Sequence, residues 1–180
     1  EKKASLWETG GFNGKLFWEI TGEIFSLARS GADYSTFDMG TGYEFSELLL
    51  DQINDMILCD VKRDPQKKGI LYFVAKKITK DMSLLRGIGA EPSLAAMVFF
   101  AGECEGGLAY VKNATIISLD DARLKEFFFT FFLNEDASYA LICKESWGGA
   151  YSCFHTSDPY LVEGLITKFQ REYSLQEQLG

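Results

Sequence analysis

Cys153 and His155 stand two residues apart, and Cys143 lies one predicted hairpin earlier. A cysteine attacks as its thiolate, and an imidazole is the usual base that makes one. On an extended strand, side chains at i and i+2 share a face, so Cys153 and His155 would point the same way. Their backbones would then stand roughly 6–7 Å apart, long for a direct proton transfer, while Cys143 on the hairpin partner offers a closer thiol. The chemistry this spells is a small cysteine-dependent enzyme using Cys143 or Cys153 with His155. A strand-end histidine and two core thiols account for the same residues, because reduced cysteine packs as a small hydrophobe. The packing explanation is favoured.

Trp147, Tyr151 and His155 gather around the last predicted hairpin, next to the pair Gly148-Gly149. Aromatic rings beside a glycine turn can line a ligand pocket, which makes these three the candidate ligand-binding residues. Ordinary surface-to-core packing explains them equally well. Glu103, Cys104 and Glu105, with His155 elsewhere, can be drawn as a metal site, but their local spacing lends it no support. No two cysteines are spaced C-x-x-C, so neither a zinc knuckle nor a thioredoxin-type motif is signalled. Gly40-Thr41-Gly42 lacks the G-x-x-x-x-G-K-[ST] pattern of a phosphate loop, and G-x-G-x-x-G does not occur. One histidine in the whole chain excludes a multi-histidine metal site and leaves little room for a Ser-His-Asp hydrolase. No cofactor is named by these patterns.

The elements that must position these residues follow from periodicity. Residues 1–14 carry little pattern and form a lead-in. Leu16, Phe17, Ile20, Ile24, Leu27 and Ala28 fall at helical spacing, with Gly31 placed to end the helix. Ser30 to Gly42, with three glycines and two aspartates, predicts a loop. Ser46 offers an N-cap to an amphipathic helix ending near Cys59. Leu49, Ile53, Met56 and Ile57 form its apolar face, and Asp51, Asn54 and Asp55 its polar one. Lys62, Arg63, Lys67 and Lys68 around Pro65 read as a solvated turn.

After Gly69 the period changes to that of strands. Ile70–Ala75, Ala96–Ala101, Leu108–Val111, Thr115–Leu119, Glu126–Leu133, Tyr139–Lys144 and Ala150–His155 are the candidates. Ile78–Gly89 is ambiguous, with room for one helical turn. Connections this short predict antiparallel neighbours. Ser157 or Asp158 then caps a closing helix with Pro159 at its start and Leu161, Val162, Leu165, Ile166 and Phe169 on one face. The fold class is therefore α/β of the α+β type. It is a five- to six-stranded, mainly antiparallel sheet with flanking helices, an architecture like that of GAF and PAS sensory domains. Phe127-Phe128-Phe129-Thr130-Phe131-Phe132 alternates between the two faces of its strand, as a central strand buried on both sides requires.

Length and composition bound the function. A chain of 180 residues makes one domain able to bury roughly 70% of its unfolded surface without a disulfide or metal staple. Its 18 basic and 26 acidic side chains give a net charge of −8, which argues against nucleic acid or an anionic membrane as partner. The excess of aromatic residues, 15 Phe, 8 Tyr and 3 Trp, comes with only 3 Pro, so the chain is no proline-rich disordered segment. There is no signal peptide and no apolar run of the ~18 residues a membrane span needs. Cytoplasmic location is expected. The sequence opens on Glu1 rather than Met, as a domain cut from a longer protein or one with a tag removed would.

The second half carries a family resemblance. Leu124-Lys125-Glu126-Phe127-Phe128-Phe129 resembles the "L..EWF" element of the DICT sensory domain of bacterial diguanylate cyclases and two-component proteins, with Phe127 where the family has Trp. Phe154-His155-Thr156-Ser157-Asp158-Pro159-Tyr160-Leu161-Val162 resembles that domain's aromatic residue, "t-x-D-P" turn and closing helix. Ala95–Gly102 is similar to its preceding apolar strand, and Leu48–Leu58 to its amphipathic helix. The resemblance covers mainly residues 95–170, and the family's upstream "FQ" element has no counterpart. It implies a single sensory-type domain over 1–180. Such a domain would be non-catalytic, would bind a small ligand or a signalling partner, and would act through its terminal helices, with homodimerisation through them as one route. A purely structural dimerisation module is the other non-enzymatic alternative.

Overall fold

The computed structural model describes residues 14–29, 39–108 and 110–175. The predicted lead-in lies outside them, apart from Gly14. A seven-stranded sheet forms the middle layer. Its strands are β1 (Met39–Ser46), β2 (Gly69–Ile78), β3 (Met97–Cys104), β4 (Thr115–Ser118), β5 (Phe127–Asn134), β6 (Ser138–Glu145) and β7 (Ala150–Thr156). The spatial order is β1-β7-β6-β5-β2-β3-β4. Among the described residues four helices flank it: α1 (Phe17–Arg29), α2 (Glu47–Arg63), α3 (Ser83–Gly89) and α4 (Pro159–Glu172).

The α+β class and the mainly antiparallel sheet are as the sequence predicts. Four differences have physical causes. First, β1 occupies positions 39–46, partly inside the predicted loop. It pairs antiparallel with β7, with a register irregularity between Gly40 and Tyr43. Second, β2, β3 and β4 run parallel to one another. The connections around α3 and through residues 105–114 are long enough to carry the chain back across the sheet, so neighbouring strands there need not reverse. Third, Leu108–Val111 forms no strand. Its backbone pairing is confined to an isolated bridge from Val111 to Ala114. Fourth, α2 runs four residues past Cys59 and closes on Lys62 and Arg63, whose charges suit a helix C-terminus.

The predicted N-caps hold. Ser46 accepts a hydrogen bond from the Leu49 amide at 3.2 Å, and Asp158 Oδ1 accepts one from the Tyr160 amide at 2.9 Å, with Pro159 opening α4. One glycine is dictated by close approach. At Gly102 φ is +154°, and a Cβ would meet the Ala75 carbonyl oxygen at 2.0 Å.

Two faces of the sheet are buried separately. Tyr72, Val74, Phe99, Phe129, Phe131, Ile142 and Phe154 face α1 and α4, meeting Phe17, Ile20, Ile24, Leu165 and Phe169. Leu71, Phe73, Val98, Phe100 and Phe132 face α2 and α3, meeting Ile57, Leu58, Val61, Leu84, Leu85 and Ile88. The phenylalanine run lies on β5, fourth of the seven strands. Phe127, Phe129 and Phe131 stack in succession on the first face, at centroid spacings of 5.6 and 5.9 Å. The alternation expected of a doubly buried central strand is realised.

Candidate functional site

The candidate residues sit on β6, β7 and the turn between them. Trp147–Gly149 forms that turn as a 3-10 segment, and Gly148 and Gly149 take φ of +80° and +77°, a region that favours glycine. Antiparallel register then sets each pair: Glu145 opposite Tyr151, Cys143 opposite Cys153, and Leu141 opposite His155. Because strand side chains alternate, all six point to the α2 side of the sheet. The middle of this row is sealed, with Leu141, Cys143 and Cys153 buried against Leu50 of α2.

Of the three predicted ligand residues, Tyr151 and His155 stand well apart on β7. Trp147 opens the turn and Tyr151 follows it, but His155 is four residues further along β7, roughly 13 Å at the rise of a strand. The buried Cys153 lies between them. His155 packs beside Tyr139, with ring centroids 6.0 Å apart, and burial pushes its imidazole below the usual histidine range.

Cys143, expected to offer His155 a closer thiol, stands opposite Cys153 instead, and the residue opposite His155 is Leu141. Cys143 and Cys153 face each other across the strands, and all four cysteines are free thiols. Burial, and then the adjoining Cys153 thiol, hold the Cys143 thiol far above its ordinary range. Cys153 Sγ donates to the Tyr151 carbonyl at 3.6 Å. A nucleophilic cysteine needs the opposite surroundings, partly exposed and electropositive.

At the open end of the row the chemistry is acidic. Ser46, the N-cap of α2, pairs with Ala150, which brings the first turns of α2 beside Tyr151. Burial raises the Tyr151 hydroxyl above its usual range, and Glu47, Glu145 and Asp51 add to the shift. These carboxylates escape a motif search. Their only signal is the i, i+4 spacing of Glu47, Asp51 and Asp55 on one helix.

Comparison with known proteins adds little to this geometry. No family model matches the chain, and no curated protein matches it. Among solved structures it is similar to polyphosphate kinase from Porphyromonas gingivalis, at 15% identity and a TM-score of 0.46, over 82% of this chain and 25% of that one. It is also similar to TrmBL2, an archaeal chromatin protein that binds DNA, at 8% identity and a TM-score of 0.45, over 87% of this chain and 60% of that one. The chain thus spans a quarter of the first and six tenths of the second.

Elsewhere several of the clustered charges are paired internally. Of the basic turn, Lys62 pairs with Glu91 at 3.2 Å, Arg63 with Asp60 at 3.2 Å, and Lys67 with Asp136. Glu105 accepts the Lys80 amide at 3.1 Å, and the Cys104 thiol donates to the Gly102 and Ile117 carbonyls. Among the described residues, no three His, Cys, Asp or Glu side chains are arranged to hold a metal ion. Among them, too, no helix is long and apolar enough to cross a membrane.

Proposed function

We propose that this chain is a non-catalytic sensory or regulatory domain of a bacterial signalling protein, acting in the cytoplasm. It binds a small ligand or a partner and passes the signal through its terminal helices. The observation that carries this reading is the joint between those helices. Phe17 of α1 meets Phe169 of α4 edge-on, at a centroid distance of 5.4 Å. Trp18 Nε1 donates to Tyr173 Oη at 3.1 Å, and Tyr173 Oη donates to Asp121 Oδ2 at 2.8 Å. The first and last helices described are therefore joined to each other as well as to the sheet, which offers a change in the sheet a path to both.

The resemblance to the DICT domain supports the same reading, since its two best elements include the 3-10 turn leading into β5 and the passage from β7 into α4. Free thiols suit a reducing compartment. The competing cysteine enzyme would have to expose and ionise a thiol that burial keeps protonated.

Native mass spectrometry of freshly purified protein, together with assays on a panel of esters, thioesters and nucleotides, tests the proposal. A retained small molecule or partner, with no turnover that depends on a thiol, is the expected outcome. Turnover abolished by Cys143→Ser or Cys153→Ser would overturn it.

A further inference from the structure

Helix α2 is amphipathic in a way that burial against the sheet does not exhaust. Its inner face is Leu50, Asn54, Ile57, Leu58 and Val61. Leu48 and Met56 are left outside, 68% and 70% exposed, with Leu49 at the border. Eight residues separate Leu48 from Met56, which is about 12 Å along the helix axis. Beside them runs a second row: Glu47, Asp51 and Asp55, at i, i+4 and i+8, all exposed. Among the described residues none of the three carboxylates is in an ion pair. Burial, and then Glu47 and Asp55 on either side, hold the Asp51 carboxyl above its usual range, so the row repels itself. The helix dipole rewards Glu47 in the first turn, but its reach ends there and does not account for Asp55. Glu145, exposed on the adjoining strand end, widens the acidic field.

We propose that this outer face of α2 is a docking surface for a basic amphipathic helix of a partner protein. Two apolar side chains two turns apart would seat a pair of apolar residues at the same spacing, and Lys or Arg beside them would meet the row of carboxylates. Charge complementarity selects this occupant. A second copy would set the acidic row against itself in a chain already at −8, and nucleic acid or an anionic membrane would be repelled more strongly still. The proposal rests on the domain working by binding. It names the kind of partner bound, and it places the contact next to Tyr151, at the open end of the candidate site.

The test uses the full 180-residue chain and two synthetic 18-residue amphipathic peptides, one of leucine and lysine and one of leucine and glutamate. Fluorescence anisotropy should show the lysine peptide binding and the glutamate peptide not. Leu48→Ser with Met56→Ser, which removes the apolar anchors without adding charge, should weaken binding by about tenfold or more, since apolar anchors dominate such contacts. Asp51→Asn with Asp55→Asn should weaken it by several-fold and flatten its salt dependence. All four positions are exposed, and circular dichroism checks that the variants fold. Equal binding by wild type and both double variants would overturn the proposal. So would a wild-type dimer in light scattering that Leu48→Ser with Met56→Ser converts to monomer, because a second copy would then own the face. Either failure leaves the non-catalytic reading standing; that reading falls only to thiol-dependent turnover.

Discussion

At the residue scale, burial decides what each cysteine can do. Cys59 lies on the exposed side of α2, whereas Cys143 and Cys153 are sealed under it. Thiolate exchange needs both access and ionisation; the inner pair lacks access, and burial also holds the Cys143 thiol protonated, until the sheet edge or the helix opens. An aromatic disulfide reagent at neutral pH should therefore label Cys59 as an ordinary exposed thiol. Cys143 and Cys153 should follow at least about a hundredfold more slowly, at a rate set by opening. Peptide mass mapping over time checks this. Labelling of Cys143 as fast as Cys59 would show a site that is open in solution. The motif search could place these residues on adjoining strands, because period two and a short turn are local features. It could not see that α2 closes over them, since which face a helix covers is set by tertiary packing.

At the element scale, α2 shows how a helix can be predicted correctly and oriented wrongly. Its existence, N-cap and approximate span are legible in the sequence. Of the predicted apolar face, Ile57 is buried and Ile53 partly buried, but Met56 is exposed and Leu49 sits at the border, while Asn54, assigned to the polar face, is only 1% exposed. The helix is rolled toward Leu50, Ile57, Leu58 and Val61, and a buried hydrogen bond favours that roll. Thr130 Oγ1 on the central strand donates to Asn54 Oδ1 at 2.8 Å, and Thr130 is the one polar break in the phenylalanine run. Nothing in the spacing of either segment announces a bond across 76 residues. The same limit hides β1, whose glycines suggest a loop and which is a strand because β7 offers it an edge.

This bond makes a sharp prediction. Thr130→Val keeps the shape of the site but leaves Asn54 Oδ1 without its donor, which should cost about 1–3 kcal/mol in urea unfolding. Asn54→Leu together with Thr130→Val removes both polar partners and should recover much of that loss, because replacing both ends of a buried hydrogen bond is nearly neutral. Losses that simply add in the double variant would mean the two residues act independently.

At the scale of the whole molecule, the two sides of the sheet differ in kind. The α2 side carries the candidate site and an outer helix face on which Leu48 and Met56 are exposed. The α1 and α4 side is clasped by a polar network at its rim. There Arg123 pairs with Asp121 at 2.7 Å and Glu172 at 3.0 Å, its guanidinium lies 4.9 Å from the centre of the Trp18 ring, and Tyr173 bonds to Asp121. Asp121 is the hub. Hydrogen bonds from the Arg123 side chain and backbone and from Tyr173 bring its carboxyl down to about 2, against the opposing effect of burial. The sign follows from linkage. A carboxyl whose folded value lies below its unfolded value of about 3.9 stabilises the fold fully above that value, and the contribution is lost as the pH falls through about 2. Asp121→Asn should therefore lower stability by about 1 kcal/mol at pH 7, the partner Arg123 being half exposed and screened by solvent. The difference between variant and wild type should hold nearly constant down to about pH 4 and shrink as the pH falls toward and through about 2. Thermal melts of both proteins across that range measure it directly. If the clasp also transmits a signal between the terminal helices, hydrogen exchange in α1 and α4 should rise together in the variant at pH 7. Exchange that rises in α4 alone would mean that the aromatic contact of Phe17 with Phe169, and not the polar rim, couples the two.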